Sequence, residues 1–294
     1  MLSLHTNAAA LSAQNSISRT QSSLSTSQTR LSTGFRINSA MDDAAGLQIA
    51  TRLKAQTSGM AVAMRNTQNS ISLMQTAEGA LDETTNILVR MKDLATQAAD
   101  GSSTASDQTA MQSEFDALSG ELSNIVGNTG FGGQKLLNSA TGTFTASVNF
   151  QIGSSTAEKM GVDLSTQVTN MHAKILTAAT QYDSTGATTS VAAAGTELTA
   201  AGSASTTIDK LSDAIDSVST VRSALGAVSN RLDHIYNNLA NVSTNTKAAT
   251  GRIVDTDFAA ESSNMTSSQM LLQAGTAMLK QSNSTSSLVL SLLQ

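Results

Sequence analysis

Hydrophobic residues recur at alternating steps of three and four over a long stretch in the second half of the chain. This heptad spacing places them on one face of a helix that packs along a partner helix. The pattern therefore predicts a long helix that contributes one seam of a helical bundle. The predicted seam consists of Ile208, Leu211, Ala214, Val218, Val221, Leu225, Val228, Leu232, Ile235, Leu239 and Val242.

A matching seam runs through the first half of the chain and stops at Asp100-Gly101, where glycine is typical of a helix C-terminus. A third helical stripe begins after Thr104 and Asp107. Three helices with apolar faces, two of them joined by a short polar loop, favour an elongated antiparallel helical bundle. The second seam consists of Leu73, Ala77, Ala80, Thr84, Ile87, Met91, Leu94 and Ala98, and the third stripe of Met111, Phe115, Leu118, Leu122 and Ile125.

Weaker apolar stripes occupy both ends of the chain, diluted by Ser, Thr, Gln and Asn. Full burial of one leucine contributes only ~1.5–3 kcal/mol, whereas ordering one residue costs ~1–2 kcal/mol in backbone entropy. A lone terminal helix of this quality is therefore expected to be disordered and to fold only against a partner. The N-terminal stripe consists of Leu4, Ala8 and Leu11 and, after a slip of one residue, Ile17, Leu24 and Leu31. The C-terminal stripe consists of Leu271, Ala274, Met278, Gln281, Thr285, Leu288 and Leu292.

The centre of the chain has a different pattern. Hydrophobic and polar residues alternate from Phe144 to Ile152, which predicts a strand with one buried face. Residues 182–205 are mostly Ala, Thr, Ser and Gly without periodicity and predict loops. The fold class that follows is mainly α, with terminal coiled-coil helices and a small β or irregular central region.

Composition excludes several classes of function. The chain has no cysteine and no proline, so disulfides and thiolate metal sites are excluded and long helices meet no proline break. A net charge of −5 argues against nucleic acid as a partner. There is no apolar run of about 18 residues to span a membrane, and the N-terminus lacks the pattern of a secretory signal peptide. We therefore expect any export to use another route.

The polar residues suggest no catalytic, cofactor or metal site. His5, His172 and His234 stand apart from other potential ligands at metal-binding spacing. The pair Asp42-Asp43 follows Ser39 at the spacing of a capping box that opens a helix. The sequence suggests no pairing of a nucleophile with a base. It therefore predicts a protein that is not an enzyme and needs no cofactor.

Residues 30–47 read RLSTGFRINSAMDDAAGL, and this segment closely resembles the N-terminal signature of bacterial flagellins. The resemblance covers roughly residues 1–138 and 206–294, and motifs this long, in this order, are highly specific. Residues 139–205 match no family pattern and resemble the variable outer region of flagellins. The further matching segments are residues 75–81, 94–99, 225–232, 252–258, 273–275 and 289–293.

The resemblance implies a division into three parts. Residues 1–36 and 258–294 would form a terminal coiled-coil domain that lines the inner tube of a filament, and residues 37–138 and 206–257 a helical-bundle shell, with residues 139–205 outside. The inner-tube contacts would come from Leu4, Leu11, Ile17, Leu24, Leu31, Leu271, Met278, Leu288 and Leu292. The bundle seam would come from Ile87, Met91, Leu94, Val218, Leu225, Leu232 and Leu239.

The resemblance also implies a function and partners. Such a chain would leave the cell unfolded through the flagellar type III export apparatus with an export chaperone, and polymerise outside it into the flagellar filament for swimming motility. Its partners would be copies of itself, the filament cap and the hook-associated junction proteins, with no nucleic acid and no membrane. Residues 131–137 match a β-turn region that is linked to switching between supercoil forms.

Flagellins of many bacteria are sensed by Toll-like receptor 5, and the matching positions here are Arg90, Leu94 and Glu114. The chain departs from the family nearby, with Val89 in place of the usual Gln and Asp93 in place of the usual Glu. On residue pattern alone, Leu94 is a seam residue and Arg90 a solvated helix residue.

Three competing classes can be compared with the sequence. A hook–filament junction protein shares terminal heptads but typically has proline near the paired aspartates, where this chain has Ala44-Ala45. A chemoreceptor-like signalling coiled coil would need membrane spans, and the sequence has no apolar run long enough for one. A surface adhesin or glycan-binding protein would use the central region, and the sequence leaves this open as an added role.

Overall fold

The computed structural model describes residues 7–186 and 194–292, with side chains described as far as residue 284. The described residues are mainly helical, which confirms the predicted fold class. The helices are α1 (Ala8–Thr33), α2 (Ala44–Ala99), α3 (Ala105–Asn128), α4 (Ser165–Ala178), α5 (Ser203–Val254) and α6 (Phe258–Leu292). The strands are β1 (Gly130–Phe131), β2 (Gln134–Lys135), β3 (Val148–Gln151) and β4 (Lys159–Val162), with a short 3₁₀ helix at Thr143–Thr145.

The chain divides into two compact units. The first, here called the terminal unit, consists of Met1–Thr57 and Thr244–Gln294, and the second, here called the bundle unit, of Ser58–Ser243. The three-part division expected from the family remains a prediction. Within residues 7–186 and 194–292, none of the helices combines the length and the hydropathy needed to cross a bilayer.

One unbroken stripe of α2 faces the core of the bundle unit. Its buried positions follow steps of three and four from Met60 to Ala98, as expected for a helix that packs lengthwise against neighbours. Methionine, leucine and alanine fill most of them, and small polar residues such as Thr84 donate a hydrogen bond from their hydroxyl to the carbonyl four residues earlier. The stripe consists of Met60, Ala63, Thr67, Ser70, Met74, Ala77, Leu81, Thr84, Leu88, Met91, Ala95 and Ala98.

The heptad face of α5 is buried in the same core from Leu211 to Leu232. Beyond Leu232 the predicted stripe departs from the structure, because Val242 is exposed and its neighbour Ser243 is buried. A straight helix of 3.6 residues per turn drifts away from a 3.5-residue repeat, so the inward face moves by one position over several turns. Arg222 of α5 and Asp82 of α2 form an ion pair of 2.9 Å beside the core.

Helix α3 begins with a complete capping box. The Thr104 hydroxyl accepts a hydrogen bond from the Asp107 amide, and the Asp107 carboxylate accepts one of 3.0 Å from the Thr104 amide. The Thr104 hydroxyl also donates to the Asp107 carboxylate, and this bond, together with the one from the Thr104 amide, holds the pKa of Asp107 below its ordinary value. The capping box satisfies two amides at the start of the helix, and the following turns bury Phe115, Leu122 and Val126.

A two-residue hairpin follows α3. Strands β1 and β2 are antiparallel, with Phe131 opposite Gln134, and the turn residues Gly132 and Gly133 both have positive φ, 58° and 85°. Only glycine adopts two such angles in succession without strain, so the Gly-Gly pair fixes this turn.

The predicted central strand forms only in part. Strand β3 begins at Val148 and pairs antiparallel with β4, whereas Phe144 lies in the 3₁₀ helix with its ring buried. In the sequence, Phe144 and Ala146 continue the alternation of the strand. In the structure, the backbone turns at Gly142, where a Cβ atom, if the residue had one, would lie 2.3 Å from the Asn138 carbonyl oxygen. The prediction was therefore wrong for residues 144–147. The described part of the predicted loop region, up to Gly202, has no regular structure.

Helix α4 was not predicted, and it carries the buried residue His172. The ring Nε2 lies 2.7 Å from the Leu137 carbonyl oxygen and Nδ1 lies 2.7 Å from the Tyr182 hydroxyl. Because the carbonyl only accepts, Nε2–H donates to it, and Nδ1 of a neutral ring accepts from the tyrosine. Burial lowers the pKa of His172 and raises the pKa of Tyr182, with the Asp183 charge adding to the latter effect. The geometry therefore suits a neutral imidazole.

The start of α2 in the terminal unit differs in detail from the expected capping box. Asp43, not Ser39, caps the helix, since its carboxylate accepts a 2.8 Å hydrogen bond from the Gly46 amide. Asp42 closes the preceding turn by accepting from the amides of Ser39 and Asn38, and these bonds lower its pKa. The two neighbouring carboxylates therefore have separate structural tasks.

Replacing Leu225, which is fully buried, by alanine is expected to destabilise the protein by roughly 2–5 kcal/mol, because the truncated side chain leaves a cavity in a packed core. The measurement is denaturant unfolding followed by circular dichroism. The matched control is Leu176→Ala on the exposed side of α4, expected to cost less than about 1 kcal/mol. Equal losses from the two variants would contradict the placement of the core.

Acid is expected to weaken the protein through His172. Its folded pKa lies below the ordinary 6.5, so its contribution to stability is present above that value and is lost as the pH falls towards the folded pKa. Unfolding midpoints of the wild type should therefore drop between about pH 7.5 and about pH 5.5, and His172→Gln should flatten this dependence. The control His234→Gln, at an exposed position of α5, should leave the drop unchanged.

Candidate assembly surfaces

The most distinctive feature of the terminal unit is the pairing of helices α1 and α6. The pair is antiparallel, because the Asn7 side chain donates to Ser282 near the end of α6, while Arg30 lies 3.7 Å from Glu261 at the start of α6. Each helix therefore covers one face of the other along most of α1. The paired helices are the first candidate for a functional surface.

The two helices meet along heptad stripes that contain many small residues. Gly275 of α6 lies against Ile17, and a Cβ at Gly275 would come within 2.9 Å of the Ile17 side chain. Small residues let the helices approach closely but remove little apolar surface from water. The covered stripe of α1 consists of Ala10, Ala13, Ile17, Thr20, Leu24, Ser27 and Leu31. That of α6 consists of Glu261, Met265, Ser268, Leu272, Gly275, Leu279 and Ser282.

The predicted stripe of α6 lies one position away from the covered stripe. Leu271 and Met278 are 62% and 67% exposed, whereas the adjacent Leu272 and Leu279 are half-buried. Both stripes have three-and-four spacing, and a shift of one residue turns the helix by about 100°. The prediction therefore identified an apolar face of α6, but not the face that contacts α1.

The predicted stripe of α1 also changes at its beginning. The covered positions continue in one heptad phase back to Ala10, so Leu11 is 51% exposed and no slip of one residue is needed. Ile17, Leu24 and Leu31 are half-buried on the covered face. Leu4 lies outside the described residues, and the side chains of Leu288 and Leu292 lie outside the described part of α6.

Two different sectors remain uncovered on α6. At about 100° per residue, the two sectors lie on opposite sides of the covered stripe; the first is apolar and the second is polar. We call the first the apolar sector; its members are Met270, Leu271, Ala274 and Met278, all exposed. The polar sector consists of Thr266, Gln269, Gln273, Thr276 and Lys280.

At one end of the pair, the turn that follows α1 is hydrogen-bonded to the turn that precedes α6. Gly34 ends α1 in the left-handed conformation, with φ 76°, and its carbonyl accepts from the Thr256 amide at 2.9 Å. The Arg36 amide donates to the Val254 carbonyl at 2.6 Å. Asp257 then caps α6 by accepting from the amide of Ala259 at 2.9 Å. The antiparallel pair is therefore anchored by backbone bonds as well as side chains.

The terminal unit buries very little apolar surface. Among its residues with described side chains, Ile37 and Ala50 are the buried hydrophobic residues, whereas the bundle unit has a contiguous core. Exposed apolar side chains elsewhere in the terminal unit include Phe35, Met41 and Phe258. The unit therefore has an incomplete core together with exposed apolar surface, a combination that marks interaction surfaces in soluble proteins.

Six of the seven predicted seam residues lie in the core of the bundle unit, whereas Leu239, near the end of the unit, is half-buried and lies outside that core. The buried members are Ile87, Met91, Leu94, Val218, Leu225 and Leu232.

The three residues that the resemblance links to receptor recognition differ in their exposure to solvent. Arg90 of α2 donates from Nε and Nη2 to one carboxylate oxygen of Glu114 in α3, at 3.0 and 2.6 Å, and both side chains are about half exposed. Leu94 is only 2% exposed and belongs to the core. An exposed contact surface at this point therefore contains Arg90 and Glu114, but not the Leu94 side chain.

The described residues contain no group of three or more histidine or carboxylate side chains arranged to hold a metal ion. Sequence reasoning missed the ion pair between Arg30 and Glu261, because it joins residues more than two hundred positions apart. It also missed α4, although Val168, Met171, Ile175 and Ala178 follow the three-and-four spacing.

Comparison with protein families extends this description. Residues 4–141 match the family model for the bacterial flagellin N-terminal helical region, and residues 208–293 match that for the bacterial flagellin C-terminal helical region. The first match contains α1, α2 and α3, and the second contains nearly all of α5 together with α6.

Curated relatives carry the same family name. Polar flagellin F of Vibrio parahaemolyticus is 48% identical over 169 residues, which are 58% of this chain and 44% of the relative. B-type flagellin of Pseudomonas aeruginosa is 49% identical over 163 residues, which are 55% of this chain and 33% of the relative. The matched region thus spans less than half the length of these relatives.

A solved structure from Vibrio parahaemolyticus, described as a flagellar hook-associated protein, shares the fold. Its TM-score is 0.57 at 15% identity, over 73% of this chain and 100% of that chain. At this identity the likeness concerns the fold alone. Because the two family models match both ends of the chain and together cover about three quarters of its residues, the chain belongs to the bacterial flagellin family.

Proposed function

We propose that this chain is a structural subunit of a bacterial flagellar filament and polymerises through its terminal helices. The observation that carries the proposal is the incomplete core of the terminal unit, where helices α1 and α6 pair along one face and leave the apolar sector exposed. A second copy of the chain that covers this sector would remove it from water. Membership of the flagellin family supports the same role.

The energetics of the terminal unit favour assembly over an independent existence. Burial of one exposed leucine or methionine contributes ~1.5–3 kcal/mol, and Leu271, Met278 and Leu11 are each more than half exposed. Repeated along a polymer, such contacts hold subunits whose terminal helices are weakly stabilised alone. A contact between different faces of identical copies generates a helical filament when the rotation between neighbouring copies does not close a ring.

The proposed role is structural and includes no enzymatic activity. It places the chain outside the cell, in the bacterial flagellum, and it assigns as partners the flagellar export apparatus with its chaperone, the filament cap and the hook-associated junction proteins. Absence of proline suits passage in an unfolded state, because no X-Pro bond has to isomerise during folding at the tip. Contact of Arg90 and Glu114 with Toll-like receptor 5 remains a proposal from the family resemblance, and so does supercoil switching at the β1–β2 hairpin.

Removal of the C-terminal helix is expected to abolish polymerisation. Purified full-length protein, seeded with salt and viewed by electron microscopy, should form filaments, whereas a variant without residues 259–294 should form none. The bundle unit of the variant should keep its fold, because its core lies in residues 58–243; a cooperative unfolding transition would verify this. A full-length chain that stayed monomeric under every condition would defeat the proposal.

The apolar sector is expected to set the critical concentration for assembly. Leu271→Gln replaces an exposed leucine by a polar side chain that resists burial, so the critical concentration should rise about tenfold or more. Sedimentation of polymer from a dilution series gives this value. The matched control is Thr276→Gln in the polar sector of the same helix, expected to change it less than about twofold. Equal effects at both positions would show that the apolar sector does not mediate the contact.

A further inference from the structure

The chain contains 12 methionines and neither cysteine nor tryptophan, so methionine is its most oxidation-prone side chain. The methionines differ in environment, and two of them, Met64 and Met265, are half-buried. Among those with described side chains, Met41, Met270 and Met278 are exposed. The buried methionines are Met60, Met74, Met91, Met111, Met160 and Met171.

Two of the exposed methionines share one surface. Met270 and Met278 are eight residues apart on α6, about two turns, and they flank Ala274 within the apolar sector. They are 59% and 67% exposed, respectively. Met41 is also exposed but lies in the turn before α2 and not on α6. The apolar sector therefore carries two accessible thioethers, and Met41 provides an exposed methionine outside it.

We propose that Met270 and Met278 form an oxidation site that controls incorporation of the subunit. A peroxide reaches both thioethers while the subunit is free, and the resulting sulfoxides prevent the apolar sector from packing against a second copy. The inference rests on the proposed function, because it requires that this sector be covered in the polymer.

The chemistry is a two-electron oxygen transfer. The thioether sulfur attacks one oxygen of hydrogen peroxide, the O–O bond breaks, and the sulfur gains that oxygen while the remainder leaves as water. The sulfur is oxidised and the peroxide is reduced. The product replaces a flexible apolar side chain by a polar one, and methionine sulfoxide reductases reverse the change.

The change introduces a polar group into an apolar surface. A sulfoxide oxygen is a strong acceptor, and burying it without a donor costs free energy. Leu271 and Ala274, which lie between the two methionines, have no side-chain donor, whereas Ser267 and Gln281 lie about one turn beyond the methionines at either end. Packing against α1 should be unaffected, because α1 covers the stripe of Leu272, Gly275 and Leu279 instead. Oxidation should therefore impair assembly without unfolding the free subunit.

Covered methionines of a filament should escape the same reagent. If a second copy covers the apolar sector, Met270 and Met278 become inaccessible after polymerisation. The proposed oxidation site therefore works on the free subunit, and a finished filament should resist it.

The test uses the full-length chain treated with hydrogen peroxide before assembly. Peptide mapping by mass spectrometry should show sulfoxide at Met270, Met278 and Met41 at least about tenfold faster than at buried Met111 and Met171. The critical concentration of the treated protein should rise roughly tenfold or more. Circular dichroism should remain that of the untreated protein, and preformed filaments should show slow oxidation at positions 270 and 278.

Two variants show which methionines cause the loss of assembly after peroxide treatment. Met270→Leu combined with Met278→Leu keeps volume and apolarity, so assembly should survive peroxide. Met41→Leu removes the exposed methionine outside the apolar sector, so assembly should remain peroxide-sensitive. Equal loss of assembly in the double variant and the wild type, or oxidation at positions 270 and 278 no faster than at Met111, would overturn the proposal. Failure of the untreated wild type to polymerise would instead refute the proposed function, and with it the control of incorporation.

Discussion

The terminal unit depends on one line of contact, the antiparallel packing of α1 against α6. Small and polar residues such as Ser27, Ser268 and Gly275 occupy much of that line, so the helices come close together but bury little apolar surface. Ordering two long helices costs backbone entropy for every residue. The burial of so little apolar surface offsets only a small part of this entropy cost. The terminal unit is therefore stabilised by any partner that covers the remaining apolar surface.

The bundle unit contrasts with this arrangement. Its core joins residues of α2, α3, α4 and α5 and includes the fully buried rings of Phe115 and Phe144. His172 within it is hydrogen-bonded to the Leu137 carbonyl and the Tyr182 hydroxyl, whereas the buried Ser119 Oγ has no partner. The bundle unit therefore buries its large apolar side chains, and the terminal unit leaves several of its own exposed. This division is what a polymerising subunit requires, because the self-sufficient part can fold before the contact-forming part meets a neighbour.

The sequence predicted the bundle unit better than the terminal unit for a physical reason. Between Leu211 and Leu232 each seam position holds Leu, Val or Ala and the flanking positions are largely polar, so one helical face is unambiguous. In α6 two neighbouring stripes have the same spacing and similar large side chains, Leu271 and Met278 in one and Leu272 and Leu279 in the other, so the pattern does not decide which stripe is covered. The covered stripe contains Gly275, whose role appears only when Ile17 lies against it. Helix α4 was missed because its stripe is short, and β3 was placed too early because alternation carries no information about a backbone turn.

The polar contacts between α1 and α6 also determine how the two helices are aligned. Asn7 with Ser282 and Arg30 with Glu261 lie near opposite ends of α1, and a shift of either helix by one heptad would separate both pairs. The shift would leave the Glu261 carboxylate, which is 10% exposed, without its cation, a costly state for a nearly buried charge. These contacts therefore fix the axial register of α1 on α6. Because Glu261 and Ser282 both belong to the covered stripe, the same contacts also hold that stripe towards α1 and leave Met270, Leu271 and Met278 for a neighbouring copy.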